Sequence, residues 1–131
     1  MTPSLRGWQV AAAVWAGTIL ATGILPTQGF VSSISGGRDD LATTTGHFAA
    51  YVLLGFLLGV ALGGWSVERD RLILALALAA ALGGLIELVQ MPLPYRDGQA
   101  IDMLVDVAGA AVGLAVFSAV ASARRSRRRL G

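Results

Sequence analysis

A few side chains in this sequence have types and spacings suited to chemistry: His47, Tyr51, Glu87, Gln90, Arg96, Asp102 and Asp106. His47 is the sole histidine. Tyr51 follows it by four residues, Gln90 follows Glu87 by three, and Asp106 follows Asp102 by four. Each pair therefore shares one face of a helix. Three chemistries suit the set. The first is acid/base work: His47 and the acids Glu87, Asp102 and Asp106 can give and take a proton, because carboxylates held close together disfavour each other's ionisation. The second is a divalent metal held by one histidine and two or three carboxylates. No spaced motif such as H-E-x-x-H supports it, and no metal is assigned. The third is ligand capture, with Arg96 for a phosphate or carboxylate, Tyr51 and Gln90 as polar contacts, and the acids for a cationic group.

Each residue also has a purely structural role open to it. Asp97 or Asp102 can complement the N-terminal dipole of a helix. Arg96 can pair with an acid and fix its loop, and His47 can lock two helices through a carboxylate. Thr43 to Thr45 read as helix caps before Gly46. No Gly-rich phosphate loop and no nucleophile elbow is present. The absence of cysteine removes disulfide and thiolate chemistry. The residues name no cofactor.

The elements that must position these groups are membrane spans. Apolar types make up 55% of the 131 residues and charged types only 14%, against roughly 25% in soluble domains. Four apolar runs are each long enough to cross a bilayer core of about 30 Å. They cover about residues 8–25, 46–65, 71–91 and 100–121, the first closed by Pro26 and the third by "MPLP". Lipid leaves no water for exposed backbone groups, and the alternation of a β-barrel is absent, so each run is predicted to be a helix. The expected fold is all-α, a polytopic membrane protein built as a single compact bundle of four transmembrane helices. The first run is too long for a signal-peptide core. No clear small-x-small cleavage site follows it before Pro26.

Arginine placement predicts the orientation. All ten basic residues are arginine. Arg6, Arg69, Arg71 and the five in the tail "RRSRRRLG" fall on one side of a four-span chain, and Arg38 and Arg96 on the other. Both termini are therefore expected in the cytoplasm. Residues 122–131 read as a basic cytoplasmic tail. It serves as a topology anchor, and its charge suits anionic lipid; no nucleic-acid partner is expected. The long first loop, outside, is expected to carry a short interfacial helix near Phe30 to Ile34.

Small residues predict the packing faces, because in lipid close approach replaces the hydrophobic drive. The stripes are Ala13, Gly17 and Ala21 in the first span, Gly55, Gly59 and Gly63 in the second, Ala80, Gly83 and Gly84 in the third, and Gly109 and Gly113 in the fourth. At about 100° per residue, Asp102 and Asp106 share the Gly109/Gly113 face within roughly 60°. Glu87 and Gln90 share the Gly83 face, and His47 and Tyr51 extend the glycine ladder of the second span. His47, Glu87, Gln90, Arg96, Asp102 and Asp106 should thus converge in one outward-facing layer. An ionised group at mid-membrane costs roughly 2.5–3.5 kcal/mol on insertion scales, so several acids in one layer point to a functional site.

At these residues the chain resembles the VanZ-like family of small bacterial membrane proteins. The segments are "GHFAAYVLLGFLLG" and "GLIELVQMPLPYRDGQAIDMLVDVAGAAVG". They are similar to the family's H-F-x-x-Y helix start, its E-x-x-Q, its Pro- and Arg-containing turn, its D-x-x-x-D and its small-residue stretch. The likeness spans roughly Asp39 to Phe117 and falls on His47, Phe48, Tyr51, Glu87, Gln90, Arg96, Asp102, Asp106, Gly109 and Gly113. The chain departs from it in lacking a Lys near Thr45 or Gly46 and an Asn near Gly109, and in having Met91 where aromatics are common. The family takes its name from a protein associated with resistance to the glycopeptide teicoplanin. The resemblance implies a membrane location, this site and a cell-envelope role, and it supplies no reaction.

The function expected is therefore binding of, or action on, a lipid-linked or glycan envelope molecule at the outer layer. A proton-coupled carrier is the alternative from a second class; it needs a polar path, and the inner halves of the spans offer none. A structural module, whose polar layer only holds the helices together, is the third.

Overall fold

The computed structural model describes residues 4–25, 39–92 and 100–130. Among them the apolar runs form four helices and no strand: α1 Leu5–Ile24, α2 Asp39–Gly63, α3 Arg69–Gln90 and α4 Ala100–Leu130. All four are long and apolar enough to cross a membrane. Arg38, Arg96, Asp97 and the expected interfacial helix near Phe30 to Ile34 lie outside the described residues.

Local chemistry accounts for the observed ends. The Ser4 hydroxyl caps α1 by accepting from the Gly7 N–H at 3.3 Å, which satisfies one of the orphan donors at a helix start. Gly64 ends α2. Its φ of 60° lies in the left-handed region that suits glycine, and its N–H reaches the Val60 carbonyl at 2.8 Å, as at many helix C-termini. Two boundaries differ from expectation. The helix carrying His47 starts at Asp39, so Thr43 to Thr45 lie within it and do not cap it. Three threonines are too few to break a helix continued by an apolar run. The basic residues 122–130 continue α4 without a break. At 1.5 Å per residue its 31 residues reach about 46 Å, well beyond a 30 Å core.

The α2–α4 pair is the tightest contact, and glycines make it so. A Cβ on Gly109 would lie 2.6 Å from the Phe48 carbonyl oxygen, and one on Gly113 would run into the Val52 carbonyl. Reciprocally, a Cβ on Gly55 would meet the Ala110 carbonyl, and one on Gly59 the Phe117 ring at 2.6 Å. The helices run parallel with backbones in contact, the geometry small residues permit in lipid. The stripe expected on α1 does not pack. Ala13, Gly17 and Ala21 are exposed, and a Cβ on Gly17 would meet nothing within 4 Å. Instead α1 buries Ala12, Ile19 and Gly23. Its bulky Trp8 and Trp15 take up the contact with α2, and that bulk shifts the face. Three side-chain bonds then tie α1 in place. Gln9 Nε2 donates to the Ala61 carbonyl at 3.3 Å, Trp15 Nε1 to Ala50 at 2.9 Å, and Gln90 Nε2 to Gly23 at 2.7 Å.

The bundle has two unlike ends. At one, Trp8, Phe56, Trp65 and Phe117 meet edge to face and tilted, with centroids 6.0–6.3 Å apart. Both the start of α1 and the end of α4 lie there. At the other end, the starts of α2 and α4 meet the end of α3. Between them the buried core is apolar, with Ile19, Leu54, Ala79 and Ile86 central to it. Large apolar side chains such as Val14, Leu53, Leu78, Leu88 and Val116 stay exposed around the outside, as lipid-facing positions do.

Candidate functional site

The glycine contact fixes the site. Phe48 lies against Gly109 and Val52 against Gly113, so one turn nearer the helix starts His47 faces Asp106. His47 Nδ1 lies 3.0 Å from Asp106 Oδ1. Asp106 is only 2% exposed, while the His47 side chain keeps 18%. A carboxylate at such burial needs a paired hydrogen bond. Because an ionised carboxylate only accepts, Nδ1 is the donor in this bond when Asp106 is ionised.

Asp106's second oxygen turns toward α3. A Cβ on Gly83 would lie 3.1 Å from Asp106 Oδ2 and 3.4 Å from the Tyr51 hydroxyl. Both groups therefore converge over Gly83, where an added Cβ would press on them. Tyr51 is 0% exposed. Its hydroxyl lies close to the Asp106 carboxylate, yet no described group meets it in hydrogen-bond geometry. Buried polar atoms without a partner are rare and ask for an explanation. Glu87, half-buried one turn beyond Gly83, lies within electrostatic reach of Asp102, Asp106 and His47. Asp102 stands in the first turn of α4 and is half-buried.

Of the residues read from sequence, the fold brings His47, Tyr51, Glu87, Asp102 and Asp106 together. Gln90 is placed differently. Its amide is buried and donates to the Gly23 carbonyl, near the end of α1, where helix carbonyls lose their intrahelical partners. Arg96 is outside the described residues. Gly83 joins the site as the residue whose missing side chain makes room. Among the described residues no three of the His and acidic groups are arranged to hold a metal ion.

Taken together, four membrane-length helices around a buried His–Asp pair define an all-helical, multi-pass membrane protein with an internal polar site. The family follows from the sequence as a whole: a family model described as VanZ/LLP1 matches residues 9–121, and the chain belongs to that family. No curated protein and no solved structure matches the chain.

Proposed function

We propose that the layer around His47 and Asp106 binds or acts on a cell-envelope molecule, lipid-linked or glycan, from the outer face of the inner membrane. One observation carries the reading. The Tyr51 hydroxyl is fully buried beside the Asp106 carboxylate, with no bond in good geometry among the described residues, in a layer that also holds His47, Glu87 and Asp102. A ligand hydroxyl, phosphate or amide would satisfy it. His47, with its ring held by Asp106, is the group to take a proton from a ligand hydroxyl or water. Glu87 and Asp102 would accept from hydroxyl or cationic groups. The site lies at the end of the bundle opposite Arg69, Arg71 and the tail arginines, which supports an outward-facing layer. Membership of a family associated with glycopeptide resistance supports the envelope as its place of action.

The test is an envelope phenotype. His47→Ala, Glu87→Ala and Asp106→Ala, each confirmed as expressed and folded, should lose the teicoplanin tolerance or envelope-dependent growth that the parent chain confers. Parent-like behaviour in all three would sink the proposal. A structural role for the layer is the second reading. It is favoured by the His47–Asp106 bond, which joins α2 to α4. A carrier has less support, because the described core between the two ends is apolar.

A further inference from the structure

The arginine end of the bundle carries a cavity of its own. It measures about 310 Å³ and is lined by Gly63, Trp65, Ser66, Ala121, Arg124, Arg125 and Arg128. Its floor is the α2–α3 turn and its wall is the continued helix α4. Gly63 packs closely in this turn: a Cβ there would lie 3.1 Å from the Arg71 side chain. The Ser66 hydroxyl donates to the Gly63 carbonyl at 2.7 Å, which fixes the turn.

The arginines fall here because α4 stays helical past the apolar span. Arg124 and Arg128 are one turn apart and Arg125 is adjacent, so all three front one surface. Arg124 is held in place, its guanidinium 4.2 Å from the centre of the Trp65 ring. A guanidinium stacked on an aromatic face still presents its planar fork of donors, the geometry that suits a phosphate. The acids nearest this face are Glu68 and Asp70. Glu68 is engaged by the Arg71 Nε at 2.9 Å. Arg124, Arg125 and Arg128 form no ion pair among the described residues.

We propose that this cavity binds the phosphate of an anionic phospholipid headgroup. Trp8 and Trp65 beside it mark the headgroup level, where such aromatics concentrate. Ala121 and Trp65 give the cavity an apolar side next to its arginines. The occupant is thus a lipid of the facing leaflet. This site is independent of the His47 layer and stands or falls separately.

The full chain, purified in a neutral detergent, should gain thermal stability on titration with phosphatidylglycerol and not with phosphatidylcholine. Arg124→Gln/Arg128→Gln should weaken the phosphatidylglycerol response by roughly thirtyfold in midpoint concentration, at about 1 kcal/mol per arginine contact. Arg127→Gln/Arg129→Gln removes the same charge outside the cavity and should keep most of the response. Melting in phosphatidylcholine checks that each variant is folded; Arg125→Gln replaces the double variant if that one is not. An equal loss in both charge-matched variants, or a full response in the cavity variant, overturns the proposal. So does an equal stabilisation by inorganic phosphate alone, which would make the site one for a free anion.

Discussion

Tyr51 is the residue on which the functional and structural readings separate. Among the described residues the Tyr51 hydroxyl has the Asp106 carboxylate beside it and no bond in good geometry; a buried hydroxyl without a good bond costs about 1–3 kcal/mol, a cost phenylalanine would not carry. Tyr51→Phe is therefore expected to raise the unfolding free energy by about 1 kcal/mol while lowering the envelope activity. A clear loss of stability would show that the hydroxyl has a structural bond and would count against its role toward a ligand. The His47–Asp106 pair permits a complementary measurement. Polar contacts between membrane helices couple by about 0.6 kcal/mol on average and up to about 1.7. The pair is short and shielded, so a double-mutant cycle of His47→Ala and Asp106→Ala should give a coupling near the upper figure.

At the scale of the element, α2 and α4 form the unit that sets the site. Their glycines bring the backbones together, and the same register delivers His47 to Asp106. Gly113→Leu is expected to force the helices apart. Overpacking typically costs 1–3 kcal/mol, and here the obstacle is backbone and not a movable side chain, so about 3 kcal/mol or more is expected. Gly17→Ala provides the contrast. Nothing lies within 4 Å of its added Cβ, so better helix propensity should make it neutral or stabilising by up to about 1 kcal/mol. Equal destabilisation by the two substitutions would contradict the packing described. Reversible unfolding in mixed micelles reads both.

For the whole molecule, the unlike ends make topology the quantity to measure. The N-terminus and the α4 tail share the end that holds Trp8, Trp65 and Arg124. The charge bias predicts a cytoplasmic position for this end. The chain has no cysteine, so single cysteines can be introduced without removing native ones. In intact cells, a membrane-impermeant maleimide should label Asp39→Cys, at the start of α2, and spare Asp70→Cys, at the start of α3. The reverse pattern would turn the His47 layer to the cytoplasm and withdraw the outward-facing site.

The sequence by itself determined the number of helices, their capacity to cross a membrane and the packing faces of α2 and α4. Bilayer thickness and the need to satisfy every backbone group leave few solutions for four long apolar runs. On α2 and α4 the glycines four apart mark the close approach. It also determined that His47, Glu87, Asp102 and Asp106 belong together, because each stands on or beside a small-residue face. The tertiary structure alone decided which oxygen meets which nitrogen, that Gly83 opens the space under Asp106 and Tyr51, and that Gln90 turns away to Gly23. Those outcomes depend on the relative rotation and register of helices far apart in the chain, which no local periodicity encodes. The face of α1 was misread for the same reason. Its small stripe offered close packing, but Trp8 and Trp15 filled the space against α2 and rotated the helix. The arginine cavity needed tertiary structure too, since it exists only where the α2–α3 turn places Trp65 beneath the prolonged α4.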